Sequence, residues 1–120
     1  MAPAARGLLD TSLLPDQSVV CAVTIAELQA GVLAAADLDI RARRLATLES
    51  IADVEVLAID ADVAAAWARL RVHLAQTGRR VNVNDLWIAA TAVANRLPVV
   101  TRDDDLDPLD EVAGLEVIRV

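Results

Sequence analysis

Four carboxylates mark the ends of predicted elements along most of this chain. They are Asp10 in LLDTS, Glu27 in TIAELQAG, Asp85 in VNDLWIAATA and Asp103 in VVTRDDDLD. Each lies where a strand ends or a helix begins. An open α/β sheet gathers such positions into one crevice. Carboxylates brought together with no cation between them repel, and a hard divalent ion is the usual remedy. The chemistry this pattern suits is Mg²⁺-assisted reaction at a phosphate ester.

The elements that must position these residues can be read from periodicity. Leu8–Asp10 reads as a short strand and Val19–Val23 as a buried one. Thr24 is expected to open a helix, with Thr24 and Glu27 in a capping-box pattern. A second helix covers about Ile40–Ile51, with Leu45, Leu48 and Ile51 on one face. Val54–Ile59 is a strand. Asp60 caps a long helix ending near Gly78, with Val63, Trp67, Leu70 and Leu74 at helical spacing. Asp85–Asn95 is apolar almost all round, so it should be a buried helix. Val99–Thr101 and Leu115–Val120 are the last strands. Strands alternating with helices imply a mostly parallel sheet between helical layers.

One stretch does not fit. Thr11–Ser18 is eight residues, while a crossover between parallel strands needs about a dozen or more. We read this as a missing segment, either a true deletion or a stretch that the 120 residues leave out.

Composition sets limits. At 120 residues the chain is expected to be one domain, and 56% of it is hydrophobic. Trp67 and Trp87 are its only aromatics, so the core is aliphatic and some apolar surface should remain for a partner, including a second copy. No apolar run approaches the roughly 18 residues of a membrane span, and MAPAARG lacks the apolar stretch of a signal peptide. Cys21 is the single cysteine and His73 the single histidine. A cysteine–histidine zinc site is therefore excluded on ligand count. A lone Cys21 in an apolar run suits a small buried residue in a reducing cytoplasm. The formal net charge is −7 and all 11 basic residues are Arg. That balance argues against nucleic-acid binding, except that part of the negative charge falls in the proposed metal site. Arg41, Arg43 and Arg44 form one basic cluster, Arg79 and Arg80 another, and Arg102 stands beside the acidic run.

Taken in order, LLDTS, TIAEL followed by Gly, NDLWIAATA and VVTRDDDLD resemble the four acidic motifs of PIN-domain ribonucleases of the VapC type, the toxins of bacterial toxin–antitoxin pairs. The Arg-only, Ala-rich composition is similar to that of a high-GC actinobacterial genome. The resemblance covers nearly the whole chain. It implies a three-layer α/β/α fold across residues 1–120, with the first crossover helix missing at Thr11–Ser18. It implies an endoribonuclease with Asp10, Glu27, Asp85 and Asp103 as acidic site residues and Asp105 as a candidate fifth. Leu106 stands where the family's fourth motif usually has an aromatic. It also implies a neutralising VapB-type antitoxin and a homodimer.

Within that reading, Asp10 and Asp85 are the expected direct ligands of Mg²⁺, with Mn²⁺ an equivalent oxygen-seeking ion. Asp103 is a ligand or a water-orienting group, and Glu27 is long enough to serve as a base. Thr11 and Ser12 can donate hydrogen bonds to carboxylates or phosphate. Arg79, Arg80 and Arg102 are candidates for contact with the RNA backbone, and with two Trp residues base stacking is not a major binding term.

Each residue also has an ordinary role: Glu27 as a cap, Asp85 as a dipole-favoured first-turn residue, Asp103–Asp105 as a solvated turn. A receiver-type phospho-acceptor domain shares the acidic pocket but needs a Lys, and this chain has none. A PIN-like binding protein without activity is the other alternative.

Overall fold

The computed structural model describes residues 4–6 and 18–120. The expected strand Leu8–Asp10, the site residues Asp10, Thr11 and Ser12, and the short stretch up to Gln17 lie outside them.

The strands described are β1 (Ala4–Arg6), β2 (Ser18–Cys21), β3 (Val56–Leu57), β4 (Val99–Thr101) and β5 (Val117–Arg119). They form one sheet in the order β3-β2-β1-β4-β5, and all four pairings are parallel. The helices are α1 (Ala22–Ala34), α2 (Leu38–Ser50), α3 (Ala61–Thr77) and α4 (Val83–Asn95). The α1–α2 connection moves outward from β2 to β3. The α3–α4 connection then crosses back over β2 and β1 to β4. Right-handed crossovers in opposite directions put the two helix pairs on opposite faces. The packing of β2 agrees. Val20 packs with Leu28 and Ile51, while Cys21 packs with Val63, Leu70 and Ala89 of α3 and α4. Alternate residues of one strand thus serve two cores, as a three-layer fold requires.

Local chemistry explains the helix limits. Asp60 caps α3 by accepting a hydrogen bond from Val63 N–H at 3.0 Å. Gly78 ends that helix in the left-handed conformation at φ 66°, which glycine adopts without strain. The apolar stripe behaves as its spacing predicts: Val63, Ala66, Leu70 and Leu74 are buried, and Trp67 is half-buried. α4 buries Leu86, Ile88, Ala89, Ala90, Thr91 and Ala92 and packs on α3, α1, β1 and β4. A helix enclosed on that many sides must be apolar nearly all round.

Several expected limits shift. α1 begins at Ala22 with Cys21 at its N-cap and no side-chain cap. The capping box expected from Thr24 and Glu27 does not form, because Thr24 already lies inside the helix and is buried. The strand expected over Val19–Val23 stops at Cys21, where pairing with Leu57 ends. α2 starts earlier than expected, at Leu38, because the Asp37 carboxylate accepts from the N–H groups of Asp39 and Ile40. β3 is two residues rather than the six of Val54–Ile59. It is an edge strand paired only with β2, and Val54 N–H is taken by Ile51 C=O in a turn. β5 begins at Val117, because Leu115 N–H closes a turn onto Val112 C=O.

No described helix is long and apolar enough to cross a membrane. Cys21 is buried and free, with Sγ 3.2 Å from Thr91 Oγ1. The Thr91 hydroxyl donates its own proton to Trp87 C=O at 2.8 Å, so the thiol is the donor in the Cys21–Thr91 contact.

Candidate functional site

In a parallel sheet every strand ends at the same edge, and the segments that leave that edge converge. Glu27 follows β2 on the exposed side of α1. Asp103 follows β4 in an exposed turn. α4 leads into β4 through a short link, so its first turn, with Asp85, lies back toward that edge.

Asp85 is the half-buried member of the group. Its pKa is pushed from an ordinary 3.8 to about 6, first by burial and then by the charges of Asp105, Asp103 and Glu27. It occupies the third helical position, behind the Asn82 cap, whose side-chain oxygen accepts from Asn84 N–H at 2.8 Å. A helix N-terminus favours a carboxylate by roughly 0.3–1 kcal/mol. The upward direction of the shift means that desolvation and three like charges outweigh the dipole. Motifs two and four therefore act on the carboxyl group of motif three, although Glu27 and Asp85 lie 58 positions apart in the chain.

The turn after β4 has a defined shape. Thr101 Oγ1 lies 3.2 Å from Asp103 Oδ1, and the same carboxylate oxygen accepts from Asp105 N–H at 3.1 Å. Asp103 and Asp105 are thereby held on one small turn beside Asp85. Asp103–Asp105 is also solvent-exposed, so its ordinary role as a solvated turn and its candidate role coexist. Asp107, further on, is bidentately bonded by one Arg119 nitrogen at 2.5 and 2.7 Å. That contact holds the exposed Arg119 guanidinium still more firmly protonated than usual.

Does this donor set suit a hard divalent ion? Its type does: the candidate ligands are all carboxylate oxygens. Its electrostatics do as well, since a cation would offset the repulsion that helps to raise the Asp85 pKa. Among the described residues, however, no three His, Cys, Asp or Glu side chains form a group that could hold a metal ion. Asp10, the other expected direct ligand, lies outside them.

Arg79 and Arg80 occupy the α3–α4 link and are exposed. They line a groove of about 400 Å³ together with Asn82, Asp104, Asp105 and Asp107. Asp105 belongs both to this groove and to the surroundings of Asp85, so the groove opens beside the acidic cluster. Arg102 is exposed between Thr101 and Asp103. Asn82, Asp104 and Asp107 carry little mark in the sequence. The available signal for Asn82 was its cap position three residues ahead of Asp85. Nothing local marks Asp107, whose partner Arg119 comes from β5, twelve positions on.

The remaining candidates are structural. His73 is half-buried on α3 and borders a shallow apolar surface with Ala68 and Val72. Trp67 and Trp87 stack with ring centroids 5.1 Å apart and an interplanar angle of 21°, packed against the α3–α4 core.

A family model described as PIN domain matches residues 2–114. Ribonuclease VapC5 of Mycobacterium tuberculosis is 61% identical over 112 residues, covering 93% of this chain and 83% of that protein. Ribonuclease VapC4 of the same organism is 43% identical over 129 residues, covering 96% of this chain and 97% of that protein. That span exceeds the 120 residues of this chain, so VapC4 has residues within the match for which this chain has none. Among solved structures, a member of the VapBC family of toxin–antitoxin systems, VapBC-5 from Mycobacterium tuberculosis, superposes with a TM-score of 0.91 at 55% identity, over 100% of both chains.

Proposed function

The chain belongs to the PIN-domain family, and on that basis we propose that it is a metal-dependent endoribonuclease, the toxin of a VapBC-type toxin–antitoxin pair. The observation that carries this reading is the Asp85 carboxyl, half-buried at a helix start and surrounded by the charges of Asp105, Asp103 and Glu27. The 61% identity to a protein named Ribonuclease VapC5 supports RNA as the substrate. The 55% identity to VapBC-5 supports a VapB-type antitoxin as the partner. The whole chain, residues 1–120, acts as one domain in the cytoplasm, as a homodimer.

In this reading Asp10 and Asp85 hold a divalent cation, Mg²⁺ or Mn²⁺, with Asp103 and Asp105 completing or orienting the set. When bound, such an ion polarises the phosphate and lowers the pKa of a neighbouring water. Glu27 takes the proton from the attacking water; it lies on the exposed side of α1, within the charge environment of Asp85. Thr11 and Ser12 donate hydrogen bonds to the ligating carboxylates or to the phosphate. Arg79, Arg80 and Arg102 neutralise neighbouring phosphates, which matters more here than in most RNA-binding proteins because the chain carries a net charge of −7.

The test is cleavage of host total RNA with Mg²⁺, with chelator, and by Asp85→Asn. Discrete fragments that need both the ion and Asp85 support the assignment. Identical fragments from the variant, or with chelator present, overturn it. A folded protein that binds the ion but cuts no RNA would instead favour a PIN-like binding protein disabled by the short connection ahead of β2.

A further inference from the structure

The groove beside the acidic cluster has two chemically different walls. Arg79 and Arg80 supply one, and neither forms an ion pair with a described residue. Asp104, Asp105 and Asp107, from the segment after β4, supply the other, and Asn82 belongs with the arginines to the α3–α4 link. Two arginines suit a phosphate backbone. The acidic wall would repel the same backbone, so a strand lying here must present something other than phosphate to it.

A nucleotide base is the part of RNA that suits a carboxylate, provided its edge offers donors. The groups on the acidic wall are not equally available. Asp107 is engaged with Arg119. Asp105 is close enough to Asp85 to act on its charge, and its N–H is held by Asp103. The Asp104 side chain accepts no hydrogen bond from the described residues and is exposed. Asn82 spends its side-chain oxygen on the α4 cap, which leaves its Nδ2 protons to donate. The groove thus offers a two-oxygen acceptor, Asp104, together with an amide donor, Asn82. Guanine alone among the RNA bases carries two adjacent donors, N1–H and N2–H, next to an acceptor, O6. Adenine and cytosine put an acceptor beside their amino group, and uracil has a single N–H.

From this we infer that the groove between Arg79–Arg80 and Asp104 is a base-reading subsite that selects guanine in the RNA strand next to the cleaved bond. The carboxylate of Asp104 accepts from N1–H and N2–H, Nδ2 of Asn82 donates to O6, and the two arginines hold the flanking phosphates. The inference rests on the ribonuclease reading and deepens it. It also gives the acidic wall a role that backbone binding alone does not.

The experiment uses a single-stranded RNA library randomised around the cut and read by end-mapping. It compares the full chain with Asp104→Asn and with Asn82→Ser, which keeps a capping hydroxyl but removes the amide donor. The expected result is guanine enriched at one fixed position beside the cut. Each variant should lower that preference about tenfold, the scale of losing one good base contact, while leaving the position of cutting unchanged. Arg79→Ala with Arg80→Ala should raise KM for all sequences alike. A wild-type profile without guanine preference, or variants that keep it in full, overturns the subsite while the ribonuclease assignment stands. Absence of any cleavage by wild type overturns the assignment itself. The groove is then judged on its own by fluorescence anisotropy of short guanine-containing and guanine-free RNAs in chelator: tighter binding of the former, lost in Asp104→Asn, supports it, and equal binding ends it.

Discussion

At the scale of single residues, Asp85 is where physical chemistry and function conflict. A carboxyl held at a pKa of about 6 instead of 3.8 costs stability, and the sign can be worked through. Below about pH 4 it is protonated in the folded and unfolded chain alike. Between there and about pH 6 the folded chain keeps a proton that the unfolded chain releases, so stability falls as pH rises through this window. Above about 6 both forms are ionised and the full penalty remains. Asp85→Asn should therefore stabilise the fold at pH 7.5 in chelator by about 1 kcal/mol once solvent screening is allowed for, seen as a higher Tm. It should also flatten the change in Tm between pH 4 and 6. A thermal-denaturation series settles this, and a variant less stable than wild type at pH 7.5 contradicts it. The same series with Mg²⁺ should raise the wild-type Tm at pH 7.5, raise it less at pH 5, and leave Asp85→Asn unmoved.

At the scale of elements, the helix ends and faces carry separable stability. Asp60 caps α3 far along the chain from the proposed site residues. Asp60→Ala should cost about 1 kcal/mol, seen as a Tm lower by several degrees, with RNA cleavage per folded molecule unchanged. Leu70 is fully buried in the middle of the same helix. Leu70→Ala should cost about 2–5 kcal/mol, since it removes apolar contact and leaves a cavity. Denaturant titration distinguishes the two, and equal losses would mean that the cap and the core are not independent. The link between β1 and β2 belongs at this scale too. Those strands pair in parallel, Ala4 with Ser18 through Arg6 with Val20, yet only residues 7–17 join them. The chain is shorter than the span it shares with VapC4, in agreement with a segment lost within the domain. An intact mass near 12.7 kDa is expected if the loss is real; a larger mass would reveal a further segment between β1 and β2.

At the scale of the molecule, apolar surface remains uncovered. Leu33 and Leu38 are each 80% exposed and Leu45 is 41% exposed on α1 and α2. Large side chains in such positions mark surfaces that a partner covers. We expect sedimentation equilibrium to report twice the chain mass. We also expect coexpressed antitoxin to copurify and suppress cleavage. A monomer at tens of micromolar would remove the homodimer from the proposal without touching the chemistry.

Much of this protein is local and could be read along the chain. Asp60 and Gly78 bound α3 because a side-chain cap and a left-handed glycine act on their own backbone neighbours. The enclosure of α4 follows from its all-round apolar composition. The positions of Asp85 and Asp103 at element ends follow from the same patterns. The order β3-β2-β1-β4-β5 does not, since strand pairing joins residues far apart in sequence. Nor does the true start of α1, where β2 runs into the helix through Cys21 and Glu27 is left free of any capping role. The charge state of Asp85 is the clearest case. Its neighbours in the chain would favour an ordinary acid at a helix start. Burial in the fold, and carboxylates arriving from α1 and from the turn after β4, reverse that preference, because desolvation and Coulomb repulsion depend on distance in space and not on separation in sequence.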